Sequence, residues 1–298
     1  MTSVDLCLAI VAYKPDLVVL DRVIASLPGT EVLLYDNSDK DAARSLMSQY
    51  GNLTYFWDGT NIGIAAAQNF LIRQAIAKGF AYAILSDQDT MYPPLYKEKI
   101  VAGFAIADDV VATFPNWYNS NAREDESNRH FLLKNGRQLR AVRVNAGLTE
   151  IAHSIASGMT IKLATFEQVG AFNEKLFIDW VDNEWCWRAN QRGFKLILDP
   201  QVRIQHCLGE TAVTIFGRPF TKRSTIRNYY IVRNAMYLLL RERSLLPSIK
   251  AYLAAKVLQH SAFSLVAADK KVVELKGLLA ALRDAFCSRM GRRDLDAR

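Results

Sequence analysis

Residues 4–13, VDLCLAIVAY, decide the fold. The run is apolar apart from Asp5, has the length of a strand, and is closed by Lys14-Pro15. Continuous apolar strands belong to sheets covered on both faces, as in parallel α/β proteins. Residues 16–27, DLVVLDRVIASL, then place Leu17, Leu20, Val23, Ile24 and Leu27 at helical spacing, and Pro28-Gly29 ends that helix. EVLLY at 31–35 predicts a second strand, followed by Asp36-Asn37-Ser38. Residues 40–50 predict a helix, and LTYFW at 53–57 a third strand. Asn61 and Gly63 form a turn into a helix over 64–78 that Gly79 stops. AYAILS at 81–86 is a fourth strand, ending in Asp87-Gln88-Asp89-Thr90. This alternation predicts a doubly wound, mostly parallel sheet with flanking helices. Open sheets of this kind bind ligands beyond the carboxyl ends of their strands. Tyr13, Asp36, Asn61 and Asp87 all fall there.

Downstream the alternation loosens. A helix is expected over 95–106 and a strand over 110–114, with a polar loop or hairpin excursion over 116–140. Strands follow at 141–146 and 155–163, a helix at about 182–192, and strands at 195–200 and 202–207. Residues 224–243 form a helix, and 245–286 one or two more. The expected division is a catalytic domain over 1–240 and a basic helical extension over 241–298. Within the first, a nucleotide half covers about 1–115 and an acceptor half about 141–240.

The composition of the 298 residues, 50% hydrophobic and 22% charged, excludes wholesale disorder and collagen-like or disulfide-scaffold classes. The net charge is +7, but residues 241–298 carry 12 basic and 6 acidic residues, so the body is nearly neutral. That distribution, with no recognised nucleic-acid motif, argues against a nucleic-acid partner. Four cysteines without a CxxC pair exclude a zinc ribbon and fit a reducing, cytoplasmic compartment. The N-terminus reads as a first strand and not as a signal peptide, and no run of 18 apolar residues predicts a membrane span.

Several residue groups carry chemistry. Asp87 and Asp89 present two carboxylates at a strand end, suited to Mg²⁺ or Mn²⁺ and a diphosphate; a helix cap or solvated turn is the plainer reading. Asp182 and Glu184 sit among aromatics and could supply a general base. They could equally favour a helix start, with Glu184 pairing to Arg188. His206 is a lone strand-end histidine, a type more often structural than ligating. Arg227, Arg233 and Asn234 lie in a helix whose arginines suit phosphate or a solvated face.

Taken in order, AIVAYKP (9–15), LLYDNSD (33–39), NIGIAAAQN (61–69), LSDQDT (85–90), SGMTI (157–161), the stretch 169–194 with FIDWVDNEWCWR, HCLG (206–209) and RNYYIVRN (227–234) match a known pattern. The chain resembles the inverting family-two glycosyltransferases with a GT-A (Rossmann-like) fold, and within them bacterial rhamnosyltransferases. The resemblance implies transfer of a sugar, with inversion, from a nucleotide sugar such as dTDP-L-rhamnose to a saccharide acceptor, lipid-linked, in O-antigen or similar cell-surface polysaccharide synthesis. It implies a nucleotide-sugar site built from Ala12, Tyr13, Asp36, Gly63, Asn69, Asp87, Gln88 and Arg233. Asp89 and His206, with Asp87, would bind Mg²⁺ or Mn²⁺. Asp182 would be the base, with Glu184 the second choice because the usual Glu-Asp dipeptide reads Val181-Asp182 here. Trp180 and Trp185 would face the acceptor.

A different nucleotide sugar would use the same residues. An NAD-type oxidoreductase would need a glycine-rich turn after the first strand, where residues 12–17 read AYKPDL. In the tail, Leu275, Leu278, Leu279, Leu282 and Phe286 form a helical stripe near Lys271, Arg283, Arg289, Arg292 and Arg293. The stripe could pack on the catalytic domain, pair two copies as a homo-oligomer, or make peripheral membrane contact through 245–298.

Overall fold

The computed structural model describes residues 5–118, 129–206, 212–215 and 218–293. Its elements run β1 (Leu6–Ala12), α1 (Leu17–Ala25), β2 (Glu31–Asp36), β3 (Leu53–Phe56), α2 (Ile64–Ala77), β4 (Tyr82–Asp87), β5 (Thr90–Met91), α3 (Tyr96–Ala102) and β6 (Val110–Tyr118). They continue with β7 (Arg129–Lys134), β8 (Gln138–Arg143), β9 (Thr149–Glu150), β10 (Thr160–Lys162), α4 (Leu163–Val169), α5 (Val181–Gln191) and β11 (Lys195–His206). The chain closes with β12 (Ala212–Ile215), β13 (Arg218–Thr221), α6 (Thr225–Arg241), α7 (Pro247–Ala267) and α8 (Lys271–Phe286).

The main sheet has the order β3-β2-β1-β4-β10-β6-β11-β5, with β9 paired to β11. The pairs β3–β2, β2–β1, β1–β4 and β6–β11 are parallel, while β10, β5 and β9 pair antiparallel. The fold is thus mixed α/β with a mostly parallel sheet. Every residue of β1 is buried, and alternate side chains feed two separate apolar clusters. Cys7, Ala9 and Val11 pack with α2, whereas Leu8 and Ile10 pack with Leu20, Val23 and Ile24 of α1. This two-sided burial is the physical reason that the strand carries no polar alternation. Asp16 caps α1 by accepting from the Val18 and Val19 N–H groups.

Register brings the expected ligand edge together. Ala12 pairs with Asp36, and Val11 with Asp87. The carboxyl ends of β1, β2 and β4 therefore open on one side of the sheet.

Several expectations change. Residues 40–50 contain only a short 3₁₀ turn at Arg44–Ser48, where Asp36 holds the loop by hydrogen bonds. The strand expected over 155–163 shrinks to β10, because residues 156–159 make a bend instead. Strands at 195–200 and 202–207 are one strand, β11, with a register shift between Asp199 and Arg203 beside Pro200. The polar excursion contains the hairpin β7–β8; residues 119–128 and Cys207 lie outside the described residues. The extension forms two helices. Ile249, Leu253 and Val257 of α7 and Leu278 and Ala281 of α8 enter the same apolar cluster as α2 and α5.

At the start of α2, Gly63 has φ 86° and ψ 161°, a conformation reserved almost wholly for glycine. A Cβ there would lie 2.5 Å from Cδ2 of Phe177 and 2.7 Å from its carbonyl oxygen. Gly63→Ala is expected to destabilise the protein by about 2–6 kcal/mol, the sum of backbone strain and overpacking. Urea unfolding would show this as a lower midpoint with an unchanged slope.

Candidate active site

The loops after β1, β2 and β3 are stitched to one another. The Lys14 N–H donates to Ser38 Oγ (2.6 Å), the Ile62 N–H to Asn37 Oδ1 (2.8 Å), and the Trp57 indole to the Ser38 carbonyl (3.0 Å). Asp36 organises this cradle. Its fully buried carboxylate accepts from the N–H groups of Ser38 (3.0 Å), Ala42 (2.9 Å) and Ala43 (3.2 Å) and from the Tyr55 hydroxyl (2.9 Å). Ala12 is buried and Tyr13 exposed, and the Tyr13 N–H donates to Gln88 Oε1 (2.7 Å). Asn37 and Ser38, on which the cradle depends, lie inside LLYDNSD, where a side-chain acceptor directly after a strand end is the sequence signal for such a role.

Two carboxylates meet across one short segment. Ser157 donates its hydroxyl to Asp87 Oδ2, and the adjacent Ala156 N–H donates to Asp182 Oδ2 (3.0 Å). Asp182 Oδ1 also accepts from the Asn183 N–H (2.8 Å). Burial pushes the Asp182 carboxyl up to about 6, and the charges of Asp87 and Asp179 add to the rise against the hydrogen bonds. Gly158, the next residue, has φ 77°, and a Cβ there would come within 2.7 Å of Pro115. The bend that carries Ala156 and Ser157 thus needs a glycine at its end.

Glu184 is disposed differently. It is buried and forms a two-pronged pair with Arg188, at 2.8 and 2.9 Å, and Arg188 also donates to the carbonyls of Val169 and Ala171. This i,i+4 pair holds α5 to the preceding turn.

His206 pairs in the backbone with Thr90, next to Asp89. The carboxylates of Asp87 and Asp89, at the end of β4, are the oxygen donor type that suits Mn²⁺ or Mg²⁺. The side chain of His206 lies outside the described residues; among those described, no group of three ligating side chains occurs.

Four of the expected contact residues are engaged by the protein itself. Asn69 is fully buried: its amide donates to the Phe172 carbonyl (3.0 Å) and Glu174 (2.9 Å), and its oxygen accepts from the Phe172 N–H (2.9 Å). Gly63 lies against Phe177. Arg233 is buried, with its guanidinium on the carbonyls of Leu176 (3.0 Å) and Gly291 (2.7 Å) and on Asn234 Oδ1 (2.9 Å). Trp185 is a core residue, packed on Phe166 and Phe172 with its indole on the Gly170 carbonyl. The spacing could not separate inward from outward positions on α5, whose aromatics are buried on more than one face.

Trp180 is half-buried, and its ring centroid lies 6.1 Å from that of Tyr252. Tyr252 belongs to α7, in the segment 241–298 that the sequence presents as an appendage, so nothing local marks it as part of the site. Burial raises its hydroxyl to about 12, with a further contribution from the nearby Asp182 charge. A cavity of about 500 Å³ borders the loop after β3, lined by Asn61, Ile62, Phe70, Arg73, Glu174 and Phe177 among others, and none of Asp87, Asp89 and Asp182 lines it.

The turn before Asp182 is strained. Phe177, Asp179 and Trp180 have φ of 66°, 65° and 65°. Helix α6 holds them there. Asn234 Nδ2 reaches the carbonyls of Leu176 (2.8 Å), Ile178 (2.7 Å) and Asp179 (3.1 Å), and Arg227 grips the Asp179 carboxylate at 2.6 and 2.9 Å. Asn234→Ala is expected to lower stability by about 2–4 kcal/mol, since buried carbonyls lose their donor while the strain remains. Denaturant unfolding measures this directly.

Comparison with known proteins agrees with this architecture. Residues 12–170 match the family described as glycosyl transferase family 2. The chain is 29% identical to the dTDP-rhamnosyl transferase RfbF of Shigella flexneri, over 93% of this chain and 94% of that one. Its fold is similar to the crystal structure of S. aureus TarS 1-349 in complex with UDP-GlcNAc (13% identity, TM-score 0.59, 94% of this chain and 81% of that one). It is also similar to GalNAc-T7 with UDP, GalNAc and Mn²⁺ (15% identity, TM-score 0.58), covering 86% of this chain but only 54% of that one. With a strand-end acidic turn and a buried second carboxylate on a mostly parallel sheet, the chain belongs to glycosyl transferase family 2.

Proposed function

We propose that the chain transfers L-rhamnose from dTDP-L-rhamnose to a hydroxyl of a saccharide acceptor, with inversion, during synthesis of an O-antigen or similar cell-surface polysaccharide. The observation that carries the transferase chemistry is the meeting of Asp87 and Asp182 on neighbouring residues of one bend. Similarity to RfbF along nearly the whole of both chains supports the rhamnosyl donor.

On this reading the site divides into separable tasks. The stitched loops around Asp36 and Tyr13 bind the nucleotide. Asp89, His206 and Asp87 would hold Mn²⁺ or Mg²⁺, which when bound neutralises charge on the diphosphate. Asp182 is the general base. It removes the proton from the acceptor hydroxyl as that oxygen bonds to the anomeric carbon and the bond to the diphosphate oxygen breaks, releasing dTDP. One displacement inverts the configuration, so no covalent sugar–enzyme intermediate forms. Trp180 and Tyr252 flank the base on the acceptor side and exclude water from it. Glu184 is spent on Arg188, which favours Asp182 as the base. The acceptor is a lipid-linked saccharide, and the reaction runs at the cytoplasmic face of the membrane.

Asp182→Asn is expected to lower transfer by about 10²–10⁴-fold and leave dTDP affinity largely unchanged. Nucleotide-release assays with titration of dTDP separate the two effects. A dead Glu184→Gln beside an active Asp182→Asn would move the base to Glu184. A donor screen that favours another nucleotide sugar would replace rhamnose and keep the site.

The wild-type enzyme should lose kcat/KM below about pH 6, tenfold per pH unit, as Asp182 takes up a proton. A pH–rate profile under subsaturating acceptor checks this limb.

Asp89→Ala and His206→Ala should each weaken Mn²⁺-dependent dTDP binding by about tenfold or more, because even outer contacts to a metal are worth about 10–100-fold. Calorimetric titration with and without Mn²⁺ is the readout; unchanged Mn²⁺-dependent affinity in both variants contradicts the metal assignment.

A further inference from the structure

Helix α8 separates its charges by sign. Its two carboxylates, Glu274 and Asp284, are both buried. Glu274 accepts from the Thr225 hydroxyl (2.7 Å) and the Asn228 amide (2.8 Å) of α6. Asp284 accepts from the Tyr229 hydroxyl (2.8 Å) and pairs with Arg293 and with Arg283 (3.1 Å). Gly277 completes this inner face, close against Thr225.

The opposite face is apolar and basic. Val272, Leu275, Leu279 and Phe286 are 68%, 45%, 58% and 57% exposed. At 3.6 residues per turn these four fall within an arc of about 60°. Lys276 and Arg283 border the arc on one side and Lys271 on the other, and Arg289 follows the helix; all four cations are exposed. The helix KVVELKGLLAALRDAF contains no Ser, Thr, Asn or Gln, so the outer face offers no uncharged polar side chain and no acid. A protein partner is normally met by an apolar centre with a rim of mixed hydrogen-bonding groups. Large apolar side chains between cations, without directional donors or acceptors, instead suit a fluid anionic surface. No described helix is long and apolar enough to cross a membrane, so such a contact lies on the bilayer and not through it.

We propose that the outer face of α8 docks the protein on anionic lipid, with Val272, Leu275, Leu279 and Phe286 in the headgroup boundary and Lys271, Lys276 and Arg289 against lipid phosphates. The proposal is independent of the donor sugar, because binding to vesicles is read without catalysis.

The test is co-sedimentation of the full chain with vesicles of phosphatidylglycerol and phosphatidylethanolamine, against phosphatidylcholine alone. The protein should bind the anionic vesicles, not the neutral ones, and be released at about 1 M salt, where the screening length falls to about 3 Å. Lys271→Ala/Lys276→Ala should lower the partition coefficient roughly 10–30-fold, and Leu279→Asp/Phe286→Asp should abolish binding. Circular dichroism and retained dTDP binding confirm that both variants fold. Absence of wild-type binding, or equal binding by wild type and both variants, overturns the proposal. So does a gel-filtration dimer that Leu279→Asp/Phe286→Asp converts to monomer without changing vesicle binding, since the face would then join two copies of the chain.

Discussion

Ala156 and Ser157 hold together two acidic side chains that would otherwise repel one another. One residue gives a backbone N–H to Asp182, and the next gives a hydroxyl to Asp87. Each carboxylate therefore has a partner from the same bend, and that bend is fixed in the sheet by hydrogen bonds from Gly158 to Leu85 and from Leu85 to Met159. The end of β4 and the start of α5, the donor and acceptor sides in the proposed function, are set relative to each other by this one segment. In the proposed function, a shift of the bend would move both groups out of register with the substrate.

The arrangement costs stability. The Asp182 carboxyl titrates near 6 when folded against an ordinary value of 3.8. Ionising it in place is therefore unfavourable by about 3 kcal/mol. Because the folded value is the higher one, this stability is present below about pH 4 and lost as pH rises to about 6. A base at position 182 is ionised only above about pH 6, where this cost applies in full. The left-handed residues of the 176–180 turn add strain beside the same carboxylate, and Asn234, Arg233 and Arg227 offset it from α6. Stability is thus drawn from α6 and the helices packed on it, which the sequence presents as a separate extension.

Much of the fold was legible because its signals are local. VDLCLAIVAY, EVLLY and AYAILS are strands buried on both faces, and their apolar runs need no partner to be read. The acidic turn after β4 and the start of α5 were legible for the same reason. What failed was everything decided by contacts distant in sequence. Asn69 and Arg233 look like polar residues waiting for a ligand, but their partners are the carbonyls of residues more than 50 positions away. Trp185 and Trp180 are alike in sequence; packing sends one into the core and the other towards Tyr252. Tyr252 could not be found from its own segment, since only the fold of α7 against Trp180 and Phe131 brings it near Asp182. The stripe of α8 divided as well: Leu278 packs inward while Leu275, Leu279 and Phe286 face out.

The central claim is that Asp182 acts on the acceptor across the sugar from the leaving diphosphate. A crystal structure of Asp182→Asn with intact dTDP-L-rhamnose and Mn²⁺ tests it most directly, because the variant should bind the donor without turning it over. The account predicts the carboxamide introduced at position 182 on the face of the anomeric carbon opposite the diphosphate, with the Asp89 carboxylate at the metal. A sugar whose open face is turned to Glu184, or a side chain at position 182 lying beside the diphosphate, would contradict it.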